Sequence, residues 1–252
     1  MIFSGHSRAG KNGLNSLLDG FLDILFPPGC GACGQSLEPG EKGQLCGECL
    51  SQVKFLSSPS CCCCGADLRP EAGGEDRFCL SCLQKQPIFN SAHSLAHYQF
   101  PVSDLLHRLK FNGDTAAAFS LAWLAKRRED QRRLTGYDLI IPVPLHRTRL
   151  QERGLNQSLF LAKLIFTDDI NKIEPALLIR TKNTQAQTGL SGSERRKNLR
   201  GAFSVTSATD IKNKRICLVD DVFTTGTTVV ECTRALKKAG AAEVAVWTLA
   251  RA

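Results

Sequence analysis

An α/β fold, built on a mostly parallel sheet flanked by helices and preceded by a small cysteine-rich module, is what this 252-residue sequence predicts. Three observations point there. From about residue 92 onward, short apolar runs alternate with amphipathic stretches, the pattern of parallel strands joined by crossover helices. Ten of the twelve cysteines lie between Cys30 and Cys82. The composition, 42% apolar and 22% charged, suits an ordinary packed core and excludes disorder as the main state.

Residues 1–26 come first. The opening 13 residues are Gly- and polar-rich and read as a loose tail. Leu14, Leu17, Leu18, Phe21, Leu22 and Leu25 then trace one apolar helical face, which Pro27 and Pro28 terminate. Asp19 and Asp23 interrupt this stretch and no small-residue cleavage site follows it, so it does not read as a signal peptide. No apolar run approaches the roughly 18 residues that span a bilayer, so no membrane insertion is expected and the expected location is cytoplasmic.

Residues 27–90 form the cysteine-rich module. Cys30/Cys33, Cys46/Cys49, Cys61/Cys64 and Cys79/Cys82 are four Cys-x-x-Cys pairs, separated by loops of 12, 11 and 14 residues. Each such turn aims two thiolates at one point, and two turns complete a tetrahedral zinc shell. A repeat sets the grouping. Cys-x-x-Cys-Gly recurs with a shift of 31 residues, Leu37 and Pro39 recur as Leu68 and Pro70, and both units close with Cys-x-x-Cys-Leu at Leu50 and Leu83. The expected ligands are therefore Cys30, Cys33, Cys46 and Cys49 for one Zn2+ and Cys61, Cys64, Cys79 and Cys82 for another, leaving Cys62 and Cys63 outside. One or both positions would hold structural zinc. Disulfides are disfavoured without an export signal, since cytosolic thiols stay reduced. Four evenly paired copies argue against a redox motif.

Residues 91–252 carry the larger domain. Ala92–Phe100 reads as a strand, and Asp104–Phe111 and Ala116–Arg128 as helices with Gly113 between them. Leu139–Pro144 is an apolar strand running into a Pro-rich turn, Leu155–Phe166 an amphipathic helix and Ala176–Arg180 a short strand. A long polar, basic loop at 181–200 has the character of a lid. Ile216–Val219 is a buried-type strand, Thr227–Ala239 a helix with Gly240 as its C-cap, and Val244–Leu249 the last strand. Cys217, Cys232, Trp123 and Trp247 read as packing residues.

Charge divides along the same line. Residues 1–90 hold 7 basic and 9 acidic side chains, whereas 91–252 hold 25 and 15. The basic half fits an anionic partner or a solvated basic surface; charge alone leaves both open. Two filled four-cysteine sites, at about −2 each, would make the module a poor platform for nucleic acid.

The strongest chemical motif follows the strand at Ile216–Val219. Asp220 and Asp221 stand at its end, and Thr224, Thr225, Gly226, Thr227 and Thr228 form a turn that opens a helix. Backbone N–H groups at a helix start bind phosphate, and glycine permits close approach. The twin carboxylates can accept hydrogen bonds from sugar hydroxyls or help to hold Mg2+. Phosphate and diol recognised by one segment describe a sugar phosphate.

This block resembles the 5-phosphoribosyl-1-pyrophosphate (PRPP) signature of type I phosphoribosyltransferases. The resemblance implies that Asp220 and Asp221 contact the ribose hydroxyls and that Thr224–Thr228 hold the 5′-phosphate. Joined to the Cys-rich module, it is similar to the competence protein F family (ComF/GntX) over about residues 14–252. Other stretches agree: Ile141-Pro142-Val143-Pro144 with Arg149, Arg153, Gly154, Asn156 and Gln157; Thr184, Gln187, Leu190, Glu194, Arg195, Asn198, Gly201 and Phe203; and Leu109-Lys110-Phe111. Leu155 stands where the family usually has an aromatic residue, and the four-Cys run at Cys61–Cys64 is unusual for it.

The implied chemistry is Mg2+-dependent transfer from PRPP. Its transition state resembles an oxocarbenium ion, so catalysis is positioning plus stabilisation of the departing pyrophosphate. The backbone after Val143 and the guanidinium groups of Arg149 and Arg153 suit that anion, and the resemblance adds Lys110 as a further substrate-binding residue. Asp220, Asp221 and Arg153 are the expected catalytic residues. The acceptor is not legible. A second reading is a non-catalytic component of DNA uptake, handling single-stranded DNA or competence-machinery proteins, although only 7% of residues are aromatic and no single-strand-binding stripe stands out. A redox or metal-storage protein would leave the Asp-Asp and Thr-Gly block unexplained.

Overall fold

The computed structural model describes residues 28–38, 44–56, 58–68, 77–128, 136–183 and 192–252, without the side chains of 192, 193, 195 and 196. The expected tail and amphipathic helix, and Thr184, Gln187 and Leu190, lie outside the described residues.

Four strands make the central sheet: β1 (Ser91–His97), β2 (Leu139–Pro142), β5 (Arg215–Phe223) and β6 (Glu243–Arg251). Their spatial order is β1-β6-β5-β2 and every pairing is parallel. Buried on both faces, the two central strands read as nearly continuous apolar runs. Their side chains still alternate between the faces. Cys217 and Val219 of β5, with Ala245, Trp247 and Leu249 of β6, pack into one core. Ile216, Leu218, Val244 and Val246 pack into the other.

The first core is covered by α3 (Val102–Phe111), α4 (Thr115–Arg127) and α6 (Gln157–Ile165) through Leu105, Leu109, Leu121 and Leu161. Asp114 caps α4 by accepting from the N–H groups of Ala116 and Ala117, and Asn156 caps α6 through Leu159 N–H. The second core is covered by α9 (Thr227–Lys238), which contributes Val229, Cys232 and Leu236. Trp247, Cys217 and Cys232 are buried as expected, while Trp123 is partly buried beneath Arg127.

Several elements differ from expectation. Arg147–Arg153 forms a helix, α5, with His146 as N-cap and Gly154 as a left-handed C-cap at φ 70°. The expected loop at 181–200 contains α7 (Gly192–Leu199), a polar helix whose sequence offers no apolar face. The short strand β3 (Leu178–Arg180) pairs antiparallel with β4 (Phe203–Val205), outside the parallel sheet. A one-turn helix, α8 (Ala208–Ile211), then leads to β5, which runs four residues past Val219 to Phe223.

The cysteine-rich module grips the edge strand β1. Cys30, Cys46, Cys49, Leu45 and Val53 join the first core, whereas Cys61, Cys63, Cys64 and Cys82 join the second. Between them, the segment around Phe55 runs antiparallel along β1, with Leu56 N–H donating to the Leu95 carbonyl at 3.1 Å and His97 N–H to the Lys54 carbonyl at 2.8 Å. The two halves of the repeat thus lie on opposite faces of the sheet and cover an edge that would otherwise be open to pairing.

Candidate functional site

Each half of the repeat closes into a four-sulfur group. The Sγ atoms of Cys30, Cys33, Cys46 and Cys49 lie within 4.8 Å of one another, and so do those of Cys61, Cys64, Cys79 and Cys82. The short helices α1 (Gly47–Ser51) and α2 (Leu80–Gln84) begin directly after the third ligand of each group. Backbone N–H groups point at the sulfurs in matching positions: Cys46 N–H to Cys30 Sγ and Cys79 N–H to Cys61 Sγ, both at 3.3 Å. Burial works against ionising Cys30, but hydrogen bonds from the Cys33, Cys46 and Ala32 backbone outweigh it and lower its thiol to about 6. Burial is likewise outweighed at Cys61 by the Cys64, Cys79 and Cys63 backbone, and that thiol also falls to about 6. Four convergent sulfurs with N–H support fit a closed structural zinc shell. Of the other two cysteines in the run, Cys62 is exposed and Cys63 buried.

The second site is a cleft of about 530 Å3. It opens at the carboxyl ends of all four parallel strands, where open α/β sheets bind ligands. Tyr98 follows β1, Val143 follows β2, Asp220, Asp221 and Thr224 come from the end of β5 and the turn after it, and Ala252 follows β6; all line the cleft. Lys110 reaches it from α3, and Arg149 and Arg153 from one face of α5, four residues apart. Of the residues singled out in sequence, Thr228 also lines the cleft, whereas Thr225, Gly226 and Thr227 do not. Thr225 is exposed beside it, and Thr227 is buried, its hydroxyl 2.8 Å from that of Thr225. Gly226 caps α9 at φ 70°, and the first helical hydrogen bond runs from Val230 N–H to its carbonyl, so the N–H groups of the first turn project from the helix end. Arg147 is exposed and not part of the lining. His146 spends its Nδ1 on the Thr148 N–H.

The cleft's electrostatics are divided. Burial first, and the neighbouring Asp221 carboxylate second, push the Asp220 carboxyl up to about 8. Asp220 Oδ1 accepts from Ser158 Oγ at 3.0 Å and from Asp221 N–H at 2.9 Å. Lys110 Nζ stands 3.8 Å from Asp221 Oδ2. Facing this acidic pair are Arg149, Arg153 and Arg180. Burial and then the charge of Arg149 lower the pKa of both Arg153 and Arg180, while the Asp221 carboxylate opposes the shift at Arg153 and Asp220 opposes it at Arg180. Phe111, over half exposed, adds an aromatic wall beneath Arg153 and Lys110 and beside His107.

Arg180, Ser158 and Tyr98 are not singled out by the sequence. Arg180 ends an apolar run and Ser158 sits in the first turn of α6, but nothing local in either stretch announces the cleft.

The fold and these two sites define a phosphoribosyltransferase-like protein with a double zinc ribbon. Residues 21–87 match the double zinc ribbon domain family and residues 175–252 the phosphoribosyl transferase domain family. Competence protein F of Haemophilus influenzae is 36% identical over 234 residues, spanning 88% of this chain and 96% of that protein. DNA utilization protein YhgH of Escherichia coli (strain K12) is 34% identical over 233 residues, 90% of this chain and 99% of that one. Competence protein ComFC of Streptococcus pneumoniae is 26% identical, covering 82% and 98%. The chain belongs to the competence protein F family. Among solved structures, a purine phosphoribosyltransferase from Pyrococcus horikoshii aligns with 52% of this chain and 79% of its own at 18% identity and TM-score 0.30, a likeness too loose to argue from. No helix among the described residues is long and apolar enough to cross a membrane.

Proposed function

We propose that this protein binds PRPP with Mg2+ in the cleft and transfers its phosphoribosyl group, within a role in the uptake or use of DNA. One observation carries the reading: the twin carboxylates of β5, the start of α9 and a trio of guanidinium groups meet in a single cleft at the strand ends. In this reading Asp220 and Asp221 hold the ribose hydroxyls. Thr224, Thr225 and Thr228, with the N–H groups of the Gly226 turn, hold the 5′-phosphate.

The leaving pyrophosphate lies against Arg149, Arg153 and Arg180 and the backbone after Val143. Asn156 steadies that backbone by donating from Nδ2 to the Val143 carbonyl at 3.2 Å. Charge develops on the pyrophosphate as the C1–O bond breaks, and the guanidinium groups are already gathered for it, so little reorganisation accompanies the step. Asp220, Asp221 and the phosphate oxygens would hold Mg2+, which would supply further charge neutralisation. Zinc takes no part in the transfer chemistry, and the expected location is the cytoplasm.

Isothermal titration of zinc-loaded protein with PRPP and Mg2+ tests the reading. Saturable binding that weakens at least tenfold in Asp220→Asn and Asp221→Asn is expected, with zinc content unchanged. No binding by intact protein would refute it. The DNA role is supported by the names of the relatives, and their wording also favours a second reading, a non-catalytic component that binds single-stranded DNA or competence-machinery proteins. A salt-dependent gel shift with single-stranded DNA separates the two.

A further inference from the structure

A packed line of side chains joins the second ribbon to the turn after β5. Arg251, the last residue of β6, donates from one terminal guanidinium nitrogen to the Cys64 carbonyl at 2.7 Å, and its other terminal nitrogen lies 3.7 Å from Cys64 Sγ. The same guanidinium covers the Phe223 ring, 4.6 Å from its centroid. Arg251 and Phe223 are register partners across β6 and β5. Phe89 meets the ring edge-on at 6.1 Å. Phe223 is 5% exposed and packs under the turn so closely that a Cβ on Gly226 would stand 2.8 Å from the ring. Cys64, Arg251, Phe223 and Gly226 thus run without a gap from a metal-ligand position to the N-cap of α9. The first ribbon is tied elsewhere: Arg108 of α3 donates to the Gly31 carbonyl at 2.7 Å.

We infer that Arg251 is a positioning residue that couples zinc occupancy of the Cys61/Cys64/Cys79/Cys82 group to ligand binding at the Thr224–Thr228 turn. The inference rests on the reading of that turn as part of a PRPP site. Bound zinc would fix the position of Cys64 and so give Arg251 a rigid partner at both its carbonyl and its sulfur. Held at two points, the guanidinium plane keeps the Phe223 ring in place, and the ring supports the left-handed Gly226 from below. Without zinc, Cys64 loses its anchor, Arg251 loses its hold, and the turn must be ordered by the ligand itself at the expense of affinity. Such coupling is reciprocal: if zinc favours PRPP, PRPP must favour zinc by the same factor. The two zinc positions should respond differently, because only the second touches Arg251 among the contacts described.

The test uses full-length, zinc-loaded protein. Zinc release to a chromogenic chelator is followed with and without PRPP and Mg2+, and PRPP binding is measured by calorimetry on the same preparation. With PRPP, one of the two zinc ions is expected to resist the chelator by on the order of tenfold more, while the other is unmoved. Arg251→Lys keeps the charge but not the two-point fork, and should bring zinc release with and without PRPP together. Phe223→Leu removes the ring and should do the same, so it carries the test if the Arg251 variant does not fold. PRPP binding with no change in zinc release, or a linkage that persists in both variants, overturns the coupling alone. Failure of PRPP to bind the zinc-loaded wild type removes the site reading and the coupling with it.

Discussion

Ser158 Oγ lies 3.0 Å from Asp220 Oδ1 and donates to it, so α6 steadies one member of the acidic pair at the end of β5. A donor favours the charged carboxylate, and here it opposes burial and the Asp221 charge, which favour the neutral form. Ser158→Ala should raise the Asp220 pKa further and weaken PRPP–Mg2+ binding about tenfold at neutral pH, since a hydrogen bond to a charged group is worth roughly 1.5–3 kcal/mol. Calorimetry at pH 7 and pH 9 checks this, because the defect should shrink at the higher pH. An equal loss at both would point to a packing fault.

Asp220 also predicts the pH dependence of stability. Its carboxyl rises from 3.8 to about 8 on folding, so the native state holds the proton more tightly across that interval. Stability must then fall as pH climbs through it and level off above. Asp220→Asn should match the wild type at the acid end and exceed it at pH 8.5 by about 1–3 kcal/mol, because the donors from Ser158 and Asp221 offset only part of the cost of burying the charge. Thermal melts across a pH series measure the difference. Parallel curves would mean that Asp220 ionises as an ordinary surface acid.

Arg149 acts on both of its neighbours, lowering the pKa of Arg153 and Arg180 after burial has done so. Arg149→Ala should therefore leave stability unchanged or raise it by less than about 1 kcal/mol. The same variant should lose at least tenfold in PRPP affinity and show a shallower salt dependence. Titrations at low and high salt decide it. Unaltered affinity would place the pyrophosphate somewhere else.

How much of this arrangement the sequence conveyed depended on distance along the chain. The four-sulfur groups were legible because each ligand pair is local and the repeat fixes which pairs share a metal. That the ribbons divide between the two faces of the sheet was not legible. It depends on long-range fits such as Gly31 against Ser120 and Gly65 against the Ala92 carbonyl, where an added Cβ would stand 2.0 and 2.4 Å away. The strands that lead to Asp220 and Val143 announced themselves by apolar runs. Helix α5 did not, because none of its residues is buried and its ends are set by the His146 and Gly154 caps. Arg149 and Arg153 were still found, through their place in a family motif, although their common face was not. Arg180 escaped because it enters the cleft from an antiparallel pair whose position is a tertiary matter.

Metal content separates the two ribbons. Cys49 is 3% exposed and belongs to the core shared with α4. Cys49→Ser should lower bound zinc from two ions per chain to one and cost several kcal/mol, because closure of the shell is part of folding there. Cys62→Ser should keep both ions, since Cys62 is exposed and belongs to neither four-sulfur group. Metal analysis with thermal melts on the two variants reads this directly. Loss of zinc in the Cys62 variant would mean that the four-Cys run ligates in another register.

Gly226 meets two separate demands, and its replacement tests whether they belong together. Its φ of 70° lies in the left-handed region, which costs a residue with a side chain roughly 1–2 kcal/mol. A Cβ there would also stand 2.8 Å from the Phe223 ring, which cannot readily yield between Phe89 and Arg251. Gly226→Ala should therefore destabilise the protein by about 2–4 kcal/mol, the strain and the overpacking together. Gly226→Asn, whose side chain tolerates the left-handed region better, should recover part of the strain but none of the overpacking. PRPP affinity measured below the melting temperature should fall in both, because the start of α9 cannot keep its place over a displaced ring. Melts that rank glycine above asparagine above alanine, with affinity lost in both variants, are the expected result. Normal affinity in either variant would show that the turn binds no phosphate.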